Sequence, residues 1–227
     1  MKLLARISAF LPLVVTLIWL QFLPDRVPMH YDFAGNIDRW GSKWENLVLP
    51  GIVLVMGVIC WLVTRSGLRK AAADEKQKAH AEANVKVVRI VMVATGLFFT
   101  VLQAFLLYKA GQAAASDATE NSVEIDRVTT ACMGILFLVL GNYMPKAKRN
   151  SLVGFRCGWT MFNDLTWQKS NRFSGLALML AGLATVACAV FPPNGWAVPG
   201  MLVTLTTAMI ACLVYAAKVY RAEKAKR

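Results

Sequence analysis

The residues best suited to chemistry lie in one polar segment near the N-terminus, residues 24–46. The side chains there that could bind a metal ion or exchange protons are Asp25, His30, Asp32 and Asp38. Their spacing matches neither the alternating carboxylates of an EF-hand loop nor the paired histidines of a zinc-binding helix. A single histidine without a nucleophile beside it is also a weak basis for covalent catalysis. We therefore predict hydrogen-bonded turn residues here, with no metal ion, no cofactor and no catalytic residue.

A second polar segment, residues 145–173, combines arginine with tryptophan. Trp159 and Trp167 lie between Arg156 and Arg172 in the chain. A guanidinium group can hold a phosphate or carboxylate through two hydrogen bonds and can also stack on an indole ring. One interpretation is a docking surface for a protein or a lipid headgroup. The alternative is a basic, aromatic interfacial helix of the kind that is common in membrane proteins, beginning near Thr160 or Asn163.

The elements that must position these segments are transmembrane helices. The chain is 57% hydrophobic and only 17% charged, whereas soluble domains carry about 25% charged residues. The apolar stretches are continuous and do not alternate, which favours helices over barrel strands. We predict an all-α, polytopic membrane protein in which residues 1–227 form a single domain of six transmembrane helices. The predicted spans are residues 7–23, 47–64, 90–108, 128–144, 174–191 and 196–215.

The basic residues predict how this domain is oriented. Of the 25 lysines and arginines, 20 lie in the N-terminus, the second and fourth loops and the tail, and 5 lie in the other loops. The positive-inside rule then places both termini and residues 145–173 in the cytoplasm, with residues 24–46 outside. Orientation and anionic lipids account for the net charge of +12. Direct binding of nucleic acid is therefore not predicted.

The middles of the predicted spans argue against several transport functions. They contain no Asp, Glu, Lys, Arg or His, the groups that ion-coupled transporters and proton relays usually keep inside the membrane. Gln103 is the one strongly polar side chain at mid-span, and we expect its amide to bridge two helices. The five cysteines include no C-x-x-C pair and are predicted to be free thiols.

Both polar segments resemble the SdpI family of bacterial membrane proteins. The first resembles the family's small N-terminal domain of unknown function through Pro24-Asp25, Pro28-x-His30, Gly35, Asp38 and Ser42-Lys43. The second resembles the family signature through Gly141-Asn142, Pro145, Asn150, Gly154-x-Arg156, Trp159-Thr160, Trp167, Arg172 and Gly175. Two departures are visible. Cys157-Gly158 stands where relatives often have Thr-Pro, and Asn171 stands where a histidine is usual.

The resemblance implies a multi-pass protein of the bacterial cytoplasmic membrane that gives immunity to, or senses, a membrane-active peptide toxin. It also implies signalling, in which a cytoplasmic regulatory protein is captured at the membrane. The expected partners are membrane lipids, a peptide toxin outside and a regulatory protein inside, and no enzymatic activity is expected. The implied binding residues are Asp25, Pro28, His30, Gly35, Asp38, Lys43, Asn142, Pro145, Asn150, Arg156, Trp159, Thr160, Trp167 and Arg172. The alternative function is a small-molecule or lipid transporter.

Overall fold

The computed structural model describes residues 1–31, 37–116, 123–193 and 195–226. It contains six long helices and one β-hairpin. The helices are α1 (Lys2–Trp19), α2 (Val48–Lys70), α3 (Glu75–Ser116), α4 (Val123–Tyr143), α5 (Asp164–Val190) and α6 (Ala197–Lys224). The hairpin strands are β1 (Arg26–Tyr31) and β2 (Ile37–Ser42), which lie between α1 and α2.

All six helices are long and apolar enough to cross a membrane, so the predicted fold class is confirmed. Many large apolar side chains on them face outward, as lipid-facing residues must; Leu180 and Leu183, for example, are each 57% exposed. Several predicted bounds were wrong. The first helix runs from Lys2 to Trp19 rather than over residues 7–23, because Leu20 and Leu23 leave the helix and pack beneath the hairpin.

The third helix is much longer than the predicted span of residues 90–108. It begins at Glu75 and contains 42 residues, about 63 Å at 1.5 Å per residue. The side chain of Asp74 caps its start by accepting the backbone N–H groups of Lys76 and Gln77. These hydrogen bonds lower the pKa of the Asp74 carboxyl. The basic segment before the third span is therefore largely a helical extension of α3.

Glycine lets α4 and α5 pack backbone to backbone. A Cβ atom on Gly141 would lie 2.6 Å from the carbonyl oxygen of Gly175, and one on Gly134 would lie 2.7 Å from that of Gly182. Helices approach this closely only where no side chain separates them. α5 and α6 are further joined by a hydrogen bond of 3.2 Å between the hydroxyls of Thr185 and Thr204. The α4–α5 pair forms a rigid support for the loop that connects these two helices.

The first prediction concerns orientation. In cysteine-free protein carrying single cysteines, we expect an impermeant thiol reagent to label positions 30 and 116 in intact cells. Positions 76 and 157 and the tail should be labelled only after the cells are opened, since the basic residues favour a cytoplasmic location there. Total labelling in lysed cells controls for accessibility. Strong labelling of position 76 in intact cells would contradict this orientation.

Candidate functional site

The hairpin forms a cap over one end of the bundle; we call residues 24–31 and 37–46 the hairpin cap. Its strands are antiparallel, with Arg26 opposite Ser42 and Tyr31 opposite Ile37. Val27 is completely buried in a cluster with Leu20, Leu23, Leu107 and Ala110. Because this cluster joins α1 and α3, the cap is packed onto the ends of both helices. The turn residues predicted here are in fact paired strands, which the spacing of the prolines and glycines does not reveal.

Two of the predicted binding residues in the hairpin cap form a cross-strand pair. Nδ1 of His30 lies 2.7 Å and 2.9 Å from the two carboxylate oxygens of Asp38. Both side chains are exposed, at 65% and 45%. Asp32 and Gly35 lie outside the described residues. Within the described parts of the chain, no three His, Cys, Asp or Glu side chains come together as metal ligands would.

Lys43 fastens the hairpin cap to the end of α1. Its side chain is only 17% exposed, and Nζ donates to the carbonyl oxygen of Leu23 at 3.1 Å. Nζ also lies 3.2 Å from a carboxylate oxygen of Asp25, whereas Pro28 is buried within β1. Lys43 thus holds the hairpin cap in place, and Pro28 is buried within it. The carboxylate of Asp25, in contrast, is 95% exposed.

Gln103 completes the attachment of the hairpin cap. Its side chain is 2% exposed, and Nε2 donates to the carbonyl oxygen of Asn46 at 3.0 Å. The predicted bridge between two transmembrane helices is therefore replaced by one from α3 to the 3-10 turn Lys43–Leu47. A buried amide needs such a partner, because an unsatisfied polar group is costly away from water.

At the opposite end of the bundle, residues 144–163 connect α4 to α5; we call them the basic loop. The loop begins with a 3-10 turn, Met144–Lys146, that contains Pro145. It ends at Asn163, whose side chain accepts the backbone N–H of Thr166 at 2.7 Å and so caps α5. Residues 164–173 are therefore the first turns of α5. The prediction of a separate interfacial helix containing Trp167 was wrong, since the cap leads into one continuous helix.

The two polar regions lie at opposite ends of the helix bundle, far enough apart for a bilayer core to fit between them. The backbone N–H of Lys148 in the basic loop donates to the side chain of Asn84 at 2.8 Å, while Leu107 packs beneath the hairpin cap. Both Asn84 and Leu107 belong to α3, and about 35 Å of helix separates them. A bilayer core is about 30 Å thick.

Asn150 organises the middle of the basic loop. Its Oδ1 accepts the backbone N–H groups of Leu152 and Val153 at 2.7 and 2.8 Å. Its Nδ2 donates to the carbonyl oxygens of Lys148 and Val153 at 2.7 and 3.0 Å. With four hydrogen bonds to nearby backbone, the amide of this predicted binding residue is committed to holding the loop.

Trp167 and Asn171 anchor the loop on α5. Trp167 is 2% exposed, and its indole N–H donates to the carbonyl oxygen of Ala147 at 2.8 Å. Asn171 is 1% exposed; its Oδ1 accepts the backbone N–H of Phe155 at 2.7 Å, and its Nδ2 donates to the carbonyl oxygen of Trp167 at 3.1 Å. Asn171 thus satisfies the buried backbone at the turn around Phe155. This role of Asn171, which stands where a histidine is usual, has no signal in the sequence.

Gly154 and Thr160 shape the outer part of the loop. Gly154 has φ of +120°, and a Cβ there would lie 2.6 Å from Oδ1 of Asn171. The fully buried hydroxyl of Thr160 accepts the backbone N–H of Cys157 at 2.9 Å and donates to its carbonyl oxygen at 3.1 Å. These contacts close a turn that carries Arg156 and Trp159.

The two arginines predicted to bind a partner, Arg156 and Arg172, lie on different surfaces of the protein. Arg156 is exposed, and its guanidinium donates to the carbonyl oxygen of Ser151. Arg172 instead lines a groove of about 630 Å³ between α5 and α6, beside Lys169 and Lys218. Trp159 is 40% exposed, and Asn142 is exposed. The residues with surface available to a partner are therefore Arg156, Trp159, Asn142 and Arg172, whereas Asn150, Thr160 and Trp167 build the loop.

An ion pair missed by sequence analysis braces the loop against α5. Nε of Arg149 lies 3.0 Å from a carboxylate oxygen of Asp164, and the same guanidinium donates to the carbonyl oxygen of Met161 at 3.0 Å. An acidic residue in the first turn of a predicted α5 would have been the signal for a partner.

Two family models match the regions just described. Residues 7–54, which include the hairpin cap, match a domain of unknown function, DUF1648. Residues 146–216, which include most of the basic loop, match the SdpI/YfhL protein family.

Individual relatives agree with these matches. The chain is 21% identical over 181 residues to the immunity protein SdpI of Bacillus subtilis, covering 80% of this chain and 77% of that protein. It is 32% identical over 59 residues to an uncharacterized protein of Archaeoglobus fulgidus, covering 23% of this chain and 32% of that protein. No solved structure matches the chain significantly. Two family motifs on a six-helix membrane bundle, together with a relative matched over 80% of the chain, support assigning this multi-pass membrane protein to the SdpI/YfhL family.

Proposed function

We propose that this protein gives immunity to a membrane-active peptide in the cytoplasmic membrane of a bacterium. The observation that carries the proposal is the similarity to an immunity protein over 80% of the chain. The role proposed is one of binding and involves no catalysis.

The hairpin cap is suited to binding a peptide at the outer surface of the cytoplasmic membrane. It is held by a buried apolar cluster and by Lys43, so its shape is set before a ligand arrives. Trp40 and Trp44 are 39% and 55% exposed beside the membrane end of the cap. Exposed indoles near an interface bind amphipathic partners well, because each ring combines apolar surface with one hydrogen-bond donor. An amphipathic peptide is the ligand that this surface fits.

The basic loop is suited to a partner on the cytoplasmic side. Arg156 and Trp159 lie on a turn whose backbone is held from within by Asn171 and Thr160. The side chains of Met161 and Leu165, 38% and 40% exposed, add apolar surface beside them. We propose that a regulatory protein binds here and that peptide binding at the hairpin cap changes this surface through α3, which contacts both regions.

The experiment is a peptide challenge. Cells that lack the gene should lose resistance to a membrane-active peptide, and the wild-type chain supplied on a plasmid should restore it. Matched membrane levels, measured by immunoblot, control for expression. If a panel of membrane-active peptides kills both strains at the same concentrations, the immunity proposal is wrong.

A conservative change in the basic loop tests the inner surface. We expect Arg156→Lys to reduce resistance severalfold at normal membrane levels, because lysine cannot form the planar, two-pronged hydrogen bonds of a guanidinium. Arg221→Lys is the matched control, since Arg221 is an exposed arginine near the end of α6. Full resistance in cells that express Arg156→Lys would contradict this proposal and would mean that Arg156 contributes only a positive charge that orients the protein.

A further inference from the structure

A cleft between α1, α2 and α3 has walls of two different kinds. Its volume is about 660 Å³, within the range of roughly 300–1,000 Å³ that is typical of ligand sites. The part that lies deeper in the membrane is lined by apolar side chains, including Phe10, Leu54, Val58 and Met92. Phe10 and Val58 are 52% and 46% exposed, so the cleft is open toward lipid.

The other part of the cleft is strongly basic. Its lining includes Lys2, Arg6, Arg65, Arg69 and Arg89, and no Asp or Glu is among the described residues that line it. The ion pairs found in the described parts of the chain involve none of these five side chains. Five cations from three helices therefore surround one opening without a protein counter-ion.

Helix geometry explains why the basic and apolar walls are stacked along the membrane normal. Lys2 and Arg6, like Arg65 and Arg69, are four residues apart and share one face of their helix. Along α2, the eight residues from Arg65 to Gly57 span about 12 Å. At Gly57 the floor of the cleft is narrow, since a Cβ there would lie 2.8 Å from that of Ala9. The cations therefore lie at the membrane surface, and the apolar wall extends inward past Gly57 to Leu54, about 16 Å from Arg65.

Trp61 marks the boundary between the two walls. Its ring is 5.3 Å from the guanidinium carbon of Arg65, and its side chain is 41% exposed. An indole that stacks with a cation at the end of a transmembrane helix sits at the level of the lipid headgroups.

We propose that this cleft is a binding site for an anionic phospholipid. The headgroup phosphate would lie among Arg6, Arg65 and Arg89, and the acyl chains would follow the apolar wall toward Gly57 and out into the bilayer. Basic pockets between helices at the inner membrane surface are suited to such headgroups. A zwitterionic lipid would leave the five cations without net neutralisation, and inorganic phosphate would leave the apolar wall uncovered. The site does not rest on the immunity function proposed above.

The test uses the purified full chain in detergent and native mass spectrometry with added phosphatidylglycerol, phosphatidylcholine or inorganic phosphate. We expect phosphatidylglycerol to be retained at least about tenfold better than phosphatidylcholine, because each cation near an anionic surface contributes on the order of a few-fold in affinity. In Arg6→Gln/Arg65→Gln/Arg89→Gln the retention should fall at least about tenfold. Inorganic phosphate should not displace the lipid.

Two further variants separate a built site from general surface charge. Lys70→Gln/Lys76→Gln/Lys86→Gln removes three exposed cations from α2 and α3 that do not line the cleft, and it should retain the lipid within about twofold. Val58→Trp leaves every charge in place and fills the apolar wall, and it should lower retention as the charge variant does. Equal retention of both lipids by the wild type, full retention by Val58→Trp, or equal losses in the two triple variants would each overturn the proposal. Displacement by inorganic phosphate would identify the ligand as a free anion instead.

Discussion

Replacing Trp167 with alanine is expected to destabilise the protein by about 3–5 kcal/mol, the usual cost of removing a large buried aromatic side chain. The indole is 2% exposed and packs against Val87 and Ala147, so its loss leaves a cavity between α3, α5 and the basic loop. The carbonyl oxygen of Ala147 also loses the indole N–H, its partner at 2.8 Å. The measurement is the free energy of unfolding in mixed detergent micelles, or the shift in Tm.

Two variants separate the contributions. Trp167→Phe removes the hydrogen bond but keeps most of the apolar contact, so it should cost less than Trp167→Ala, about 1–3 kcal/mol. Trp159→Ala removes a tryptophan from the same segment that is 40% exposed, and it should change stability by no more than about 1 kcal/mol. An equal loss of stability in Trp159→Ala and Trp167→Ala would show that the two indoles do not differ as described.

The transmembrane helices could be predicted from sequence because the bilayer leaves little choice. A segment that crosses hydrocarbon must be apolar and must satisfy its own backbone hydrogen bonds, so continuous apolar runs identify helices directly. The ends of the helices were less predictable. α3 continues outward to Glu75, well beyond its apolar run, because water tolerates either a helix or a loop there. Side-chain capping by Asp74 decides the start.

The hairpin cap and the burial of Trp167 depend on contacts between residues far apart in the chain. Val27 is buried only because Leu107 and Ala110, near the end of α3, meet the hairpin. Trp167 is buried because the extension of α3 brings Val87 into one cluster with it and Ala147. Neither contact leaves a local pattern in the sequence, so the first segment was predicted as turns and Trp167 as part of a surface.

The separation of Trp167 from Arg172 was nevertheless predictable in principle. Once residues 164–173 are recognised as helical, five residues at 100° each place these side chains about 140° apart. An inward Trp167 then requires an outward Arg172, which lines the groove between α5 and α6. The same geometry places Trp167 and Asn171, four residues apart, on one face. The missing information was that Asn163 begins a continuous α5.

Gly154 marks the point where the basic loop turns over this buried face of α5. Its φ of +120° is a conformation that residues with a side chain rarely adopt, at a cost of order 1–3 kcal/mol. A Cβ would also lie 2.6 Å from Oδ1 of Asn171 and 2.8 Å from the ring of Trp167. Both neighbours are held by their own hydrogen bonds and cannot move freely.

We therefore expect Gly154→Ala to destabilise the protein by at least about 3 kcal/mol, since the backbone cost adds to the clash. The measurement is again the free energy of unfolding, together with peptide resistance at matched membrane levels. Gly158→Ala is the matched control: Gly158 lies in the same loop, a Cβ there meets nothing within 4 Å, and its φ is not positive. It should stay within about 0.5 kcal/mol of the wild type.

A third variant separates the clash from the backbone strain. Gly154→Ala/Asn171→Ala removes the amide that the new Cβ would strike, while the strain at φ +120° and the contact with Trp167 remain. If the clash with Asn171 contributes, the loss in the double variant should be smaller than the sum of the two single losses. Strict additivity would assign the whole effect of Gly154→Ala to the backbone and the Trp167 ring. Wild-type stability of Gly154→Ala itself would mean that the loop follows a different path over α5, and the arrangement of Arg156 and Trp159 on that turn would have to be abandoned with it.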